Sequence, residues 1–220
     1  MRLRGLALAL VLLAAAGAPA QPLEVVSERG PAVENQALDA VRRARAVYSE
    51  LGLSLRKPHL PTQIILVPTV LELAPYIGPN SGRSRAFSFA GADRNYIVLA
   101  WTAPGDALRA LEHEYAHLVD PLAEAPIWFR EGLAEYLSDL EPDADGRLRP
   151  AAPARHLVRL RDSQWLPLAG VRDAARTSAE FGAPTFYAQS WLLLHWLASG
   201  GRLPSRLRPH DLDSEIERLG

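Results

Sequence analysis

The sequence contains no cysteine. Disulfides, thiolate-bound zinc, iron–sulfur clusters and thiol nucleophiles are thereby excluded, and any metal site has to be built from His, Asp and Glu. Neither sign of charge is in excess. The 24 Lys and Arg residues stand against 25 Asp and Glu, a net of −1, which leaves no basic footprint for nucleic acid. Past the first 16 residues there is no apolar run long enough to cross a bilayer, and there is no internal repeat. What is present is 220 residues, 48% hydrophobic and 22% charged, enough to bury one core and so to form a single domain.

The first twenty residues read as an export signal. Arg2 and Arg4 precede a short apolar run over residues 6–16, and Ala18-Pro19-Ala20 supplies the small residues of a cleavage site. Cleavage is predicted after Ala20, leaving residues 21–220 as one exported domain, periplasmic or secreted, with no stable membrane insertion. Taking Arg2 and Arg4 from the 24 basic residues leaves 22 against 25 acidic, a net of −3, too mild to specify a partner.

Along the remaining chain, apolar spacing predicts a helix over residues 31–52, and the run Thr62-Gln63-Ile64-Ile65-Leu66-Val67-Pro68 predicts a buried strand. A short helix is predicted near 70–77. Residues 86–90 and 96–101 predict a β-hairpin around Gly91-Ala92-Asp93-Arg94-Asn95. From there the pattern is helical: 106–119, ended by Asp120-Pro121, then 126–139, 154–162, 185–198 and 211–219, with 141–153 read as a polar loop. A small N-terminal sheet with an edge hairpin, followed by helices, is an α+β layout.

The chemistry lies in two of these helices. His113-Glu114-Tyr115-Ala116-His117 has the H-E-x-x-H pattern. A spacing of four brings both imidazoles to one helix face, a turn apart, where they can share one ion, and the adjoining Glu114 can reach a water on that ion. The competing reading is a solvated helix with two incidental histidines. The next helix contains Trp128-Phe129-Arg130-Glu131-Gly132-Leu133-Ala134-Glu135-Tyr136. Glu131, Glu135 and Asp139 would ordinarily form an exposed acidic stripe, but large apolar residues surround them. A catalytic zinc needs a third protein ligand and an open position, so Glu131 is the candidate third ligand, with Glu135 as its substitute. Glu135, one turn on, is otherwise placed to accept the free N–H of a ligating imidazole.

These two motifs, His113-Glu114-x-x-His117 and Trp128-x-x-Glu131-Gly132-x-Ala134-Glu135-Tyr136, resemble those of the gluzincin metallopeptidases, in particular the small bacterial peptidase MA-like proteins. The resemblance covers about residues 60–198. It implies a thermolysin-like catalytic core, one Zn²⁺ per chain on His113, His117 and Glu131, and Glu114 as general base in cleaving a peptide or protein substrate. Thirteen residues separate His117 from Glu131, fewer than in thermolysin-like or aminopeptidase members. Related enzymes carry an oxyanion-stabilising tyrosine on a later helix. Tyr187 is the residue this implies, although Tyr187, Trp191 and Leu194 read equally as a core-facing stripe. His195 reads as structural, and His59, His156 and His210 carry less functional weight still. The hairpin occupies the place of the edge strand that pairs with extended peptide in gluzincins. Residues 91–95 loosely echo the aminopeptidase G-x-M-E-N box with Arg94 where the amine-binding glutamate would stand, which disfavours aminopeptidase action. The expected function is thus a zinc endopeptidase of the cell envelope or secreted space. The alternatives are a non-catalytic peptide- or protein-binding module on the same scaffold, and zinc-assisted hydrolysis of a non-peptide amide.

Overall fold

The computed structural model describes residues 22–50, 60–76, 85–119 and 125–200. The expected leader, the helix at 211–219, His59 and His210 lie outside them.

Four strands form a mixed sheet, β1 (Leu23–Ser27), β2 (Thr62–Val67), β3 (Ala86–Ala90) and β4 (Asn95–Ala100), in the order β1-β2-β4-β3. β1, β2 and β4 are mutually parallel, with Val25 opposite Ile64 and Ile64 opposite Ile97; β3 runs antiparallel to β4, with Ser88 opposite Ile97. The central strands read as near-continuous apolar runs because both of their faces are covered. Ile64, Leu66, Ile97 and Leu99 point into the main core, whereas Val67, Val98 and Ala100 join Leu73 in a smaller cluster on the other face. The predicted helix near 70–77 is a single 3₁₀ turn, Val70–Leu73, lying over that second face.

The helix α1 (Pro31–Glu50) crosses from β1 to β2. Gly30, at φ +84°, makes the left-handed turn into it, and the Glu34 carboxylate accepts the Ser27 N–H at 3.1 Å. Three of its six buried residues are alanines, and Ala37, Ala40 and Ala44 have no exposure at all. Tyr48, at its end, stacks on Tyr115 with ring centroids 6.5 Å apart.

Two helices carry the motifs, α2 (Pro104–Val119) and α3 (Ile127–Ser138). On α2, Ala107, Leu111, Tyr115, Ala116 and Val119 are buried, which leaves His113, Glu114 and His117 half-buried on a flank. α3 is buried over most of its circumference, as expected of a helix at the centre of a domain. Pro126 starts it, with its carbonyl accepting the N–H groups of Phe129 and Arg130 at 3.0 and 3.2 Å.

Residues 141–153 correct the expectation of a loop. They contribute to a two-stranded hairpin, β5 (Leu140–Pro142) and β6 (Leu148–Pro150). The Asp143 carboxylate accepts the N–H groups of Asp145 and Arg147 at 3.0 and 2.9 Å, and Gly146 sits at φ +76°. Each strand ends on a proline, which cannot donate to a ladder, and backbone bonds continue past both, from Asp143 N–H to the Arg147 carbonyl at 2.8 Å and from Ala151 N–H back toward α3. The hairpin returns the chain to α3, where the Ala151 N–H meets the Asp139 carbonyl at 2.7 Å. α4 (Ala154–Asp162) follows, then a short α5 (Leu168–Arg172) that the sequence pattern did not indicate, then α6 (Phe186–Ser199). α6 runs closely along α3, with Gly132 against the backbone of Ser190. The whole is an α+β fold in which helices cover one face of a small mixed sheet. No helix among the described residues is long and apolar enough to cross a membrane.

Candidate metal centre

The two histidines of α2 project from one flank, ring centroids 4.9 Å apart and nearly perpendicular at 81°. Their Nε2 atoms are separated by 3.2 Å. Glu131 reaches the same point from α3, with its Oε2 atom 3.4 Å from His113 Nε2 and 3.3 Å from His117 Nε2. Three donor atoms therefore form a nearly equilateral triangle, and this group can hold a metal ion. Its size is informative. Ligands placed tetrahedrally at the 2.0–2.1 Å usual for zinc lie about 3.3–3.4 Å from one another, and the three edges match that spacing.

Glu131 is only 3% exposed, so the acidic stripe suggested by sequence spacing turns inward at this position. An unpaired carboxylate there would be costly. Burial pushes its pKa up, but hydrogen bonds and charge from His113 and His117 outweigh burial and hold it well below the usual carboxylate range. The converse holds for His113. Burial disfavours its protonated form, yet the Glu131 hydrogen bond and the charges of Glu135, Glu114 and Glu131 raise it to about 9. The pocket is thus built to accept positive charge, whether a proton or a cation.

Glu135, the sequence-based substitute for Glu131, sits behind the triangle. Its Oε1 is 3.4 Å from His113 Nδ1, the place of a carboxylate that orients a ligating imidazole. Its Oε2 faces His156 Nε2 at 2.8 Å and Arg155 Nη2 at 2.6 Å. Burial alone would raise its pKa; the His156 hydrogen bond and the charges of His113, His156 and Arg155 bring it down to about 2. Glu131 has a further neighbour, Arg176, whose Nη2 lies 3.4 Å from Oε1.

Beside the triangle opens a cleft of about 380 Å³ whose walls include His113, Glu114, Arg85 and Tyr187. The Glu114 carboxylate accepts a 2.7 Å hydrogen bond from Ser88 Oγ on β3, one of the two edge strands of the sheet among the described residues. Tyr187 stands in the first turn of α6. Burial, followed by the charge of Glu131, pushes its hydroxyl far above its ordinary pKa, so it stays protonated and able to donate.

Every site residue read from sequence, namely His113, Glu114, His117, Glu131, Glu135 and Tyr187, is brought to this one region. Others are not. His195 stacks on Trp191 at 5.1 Å and 18°, and its buried Nδ1 meets no hydrogen-bond partner among the described residues. Arg94 lies in the β3–β4 turn, paired with Glu24 at 3.3 Å and Asp93 at 3.2 Å, while Asn95 donates to the Leu60 carbonyl; the box-like segment is a turn that ties the strands together. Sequence reasoning did not place Ser88, Arg155, Arg176 or His156 against these residues, where the structure puts them. A comparison of the chain with known protein families finds no match, and a comparison with curated proteins finds none either.

Proposed function

We propose that this chain is a zinc-dependent metallopeptidase of the gluzincin kind, exported from the cell, acting as an endopeptidase on peptide or protein substrates. The observation that carries the proposal is the 3.2–3.4 Å triangle of two imidazole nitrogens and one carboxylate oxygen with Glu114 beside it. Two imidazoles with one carboxylate favour zinc over magnesium or calcium, which prefer all-oxygen sets. Zinc bound there supplies a Lewis acid for the scissile carbonyl and lowers the pKa of a water toward about 7.

The remaining work falls to the chain. Glu114 takes the proton of the attacking water and returns it to the leaving nitrogen. Ser88 keeps that carboxylate aimed across the cleft. Tyr187, protonated throughout the working range, donates to the developing oxyanion. β3 offers an extended substrate a strand to pair with, which places the scissile bond along the cleft rather than at its end and suits internal cleavage.

Elemental analysis of the purified mature protein tests the site. One zinc per chain is expected, and His113→Ala and Glu131→Ala are expected to lose it while remaining folded. A folded wild type that takes up no zinc from excess metal overturns the reading. Zinc held at full occupancy with no cleavage of a diverse peptide library points instead to a binding module on the same scaffold.

Ser88→Ala tests the aiming of Glu114. A hydrogen bond to a charged group contributes about 1.5–3 kcal/mol, and only the part realised in the transition state lowers the rate. About a tenfold fall in kcat at unchanged KM and unchanged zinc content is expected from steady-state peptide hydrolysis; an unaltered kcat removes Ser88 from the mechanism.

A further inference from the structure

We infer that His156 and Arg155, at the start of α4, are positioning residues for the metal centre: they hold one oxygen of Glu135 so that the other is fixed against His113. The inference rests on the metal-binding reading above and extends it to a third helix. The two carboxylate oxygens of Glu135 are used separately. Oε2 is gripped twice, by His156 Nε2 at 2.8 Å and Arg155 Nη2 at 2.6 Å, while Oε1 faces His113 Nδ1 at 3.4 Å. The grip is itself anchored. Arg155 Nη1 donates to Asp139 Oδ1 at 2.6 Å, just past the end of α3, and the His156 ring lies 5.7 Å from the Trp191 ring of α6.

This arrangement has a direct chemical effect. In the neutral imidazole that a metal ligand requires, a carboxylate facing Nδ1 favours the proton on that nitrogen, which leaves the Nε2 lone pair for an ion shared with Glu131 and His117, and it biases the plane of the ring. Glu135 alone could rotate about its terminal torsion, which is broad and soft for a carboxylate. With Oε2 fixed from two directions, that freedom is removed. His156 is 6% exposed and the Glu135 side chain 14%, so bulk water does not loosen the pair. A simple ion pair that holds α4 to α3 would need only Arg155 and Asp139. The buried imidazole on the same oxygen that Arg155 holds is what points to His113.

Cobalt substitution gives a readout that a purely structural role would not move. Wild type, His156→Leu, His156→Gln and Arg155→Met are each loaded with Co²⁺, their visible absorption recorded, and their zinc affinity measured by competition with a chromogenic chelator. Loss of a partner behind a metal ligand typically lowers affinity about 10- to 100-fold. A fall in that range with an altered cobalt band is expected for His156→Leu. Gln places an N–H donor near the position of Nε2 and is expected to restore both. Arg155→Met, at a side chain 36% exposed, carries the same test should His156→Leu fail to fold. Wild-type affinity and an unshifted cobalt band in folded His156→Leu, or in Arg155→Met if the former does not fold, overturn the inference and leave the metal reading intact. A wild type that binds neither metal overturns both.

Discussion

Glu114→Gln is expected to lose nearly all peptide hydrolysis and to keep its zinc. The substitution preserves shape: the amide oxygen can still accept the Ser88 hydroxyl, which lies 2.7 Å from the native carboxylate, and none of the three triangle atoms belongs to this side chain. What disappears is the proposed base. Positioned proton transfer contributes about 10²–10⁴-fold, so kcat on a cleavable peptide should fall by about that factor, with metal content measured on the same sample. Two contrary results are informative. Unchanged turnover means the base lies elsewhere, and loss of metal together with activity means that Glu114 is a ligand. Glu131→Ala should behave oppositely, losing the ion itself, and the pair of variants separates chemistry from metal binding.

Gly132→Ala is expected to produce the largest loss of stability of any methyl-sized change in the motif helices. A Cβ at Gly132 would lie 2.4 Å from the Ser190 carbonyl oxygen and 2.9 Å from its carbon. Exchanging Gly for Ala inside a helix ordinarily gains about 1 kcal/mol. Here the obstacle is the backbone of α6 and not a flexible side chain, so relief requires the two helices to separate. Overpacking costs about 1–3 kcal/mol and more where the surroundings cannot give. Since the clash is with backbone, the upper end applies, and a net loss of about 2 kcal/mol or more remains after the propensity gain. For a chain of this size that lowers the thermal midpoint by about 4–8 °C, read by circular dichroism. Gly132 stands between Glu131 and Glu135, so metal affinity should fall with it. An unchanged or higher midpoint would show that α3 and α6 do not meet this closely.

The same spacing that makes a helix made the candidate metal site legible. His113 and His117 are four apart and must share a face, and Glu131 and Glu135 recur at four on the next helix, so the sequence alone allows α2 and α3 to be read as facing. The hairpin β3–β4 and the buried strand β2 were legible for the same reason, since their apolar runs end on strong turn residues. The partners that came from elsewhere were not. Ser88 reaches Glu114 only because β3 turns Ser88 toward α2 while Phe87 joins the cluster on the opposite face, a phase that a five-residue strand of Ala, Phe and Ser does not declare. His156 is 21 residues beyond Glu135, and it arrives through β5 and β6, whose proline ends disguise them as loop. β1 is equally short and α5 spans five residues, so neither accumulates enough periodicity to register.

The alanines of α1 make tolerance to mutation in this half of the protein one-sided. Ala37, Ala40 and Ala44 have no exposed surface, and a side chain of one methyl group has almost nothing left to trim. Apart from glycine, which costs a helix about 1 kcal/mol, variation at these positions proceeds toward greater volume, and the surrounding interior, close-packed as protein interiors are, answers added volume with displaced neighbours. Random mutagenesis of the crossover helix should therefore return Ala37, Ala40 and Ala44 nearly unchanged.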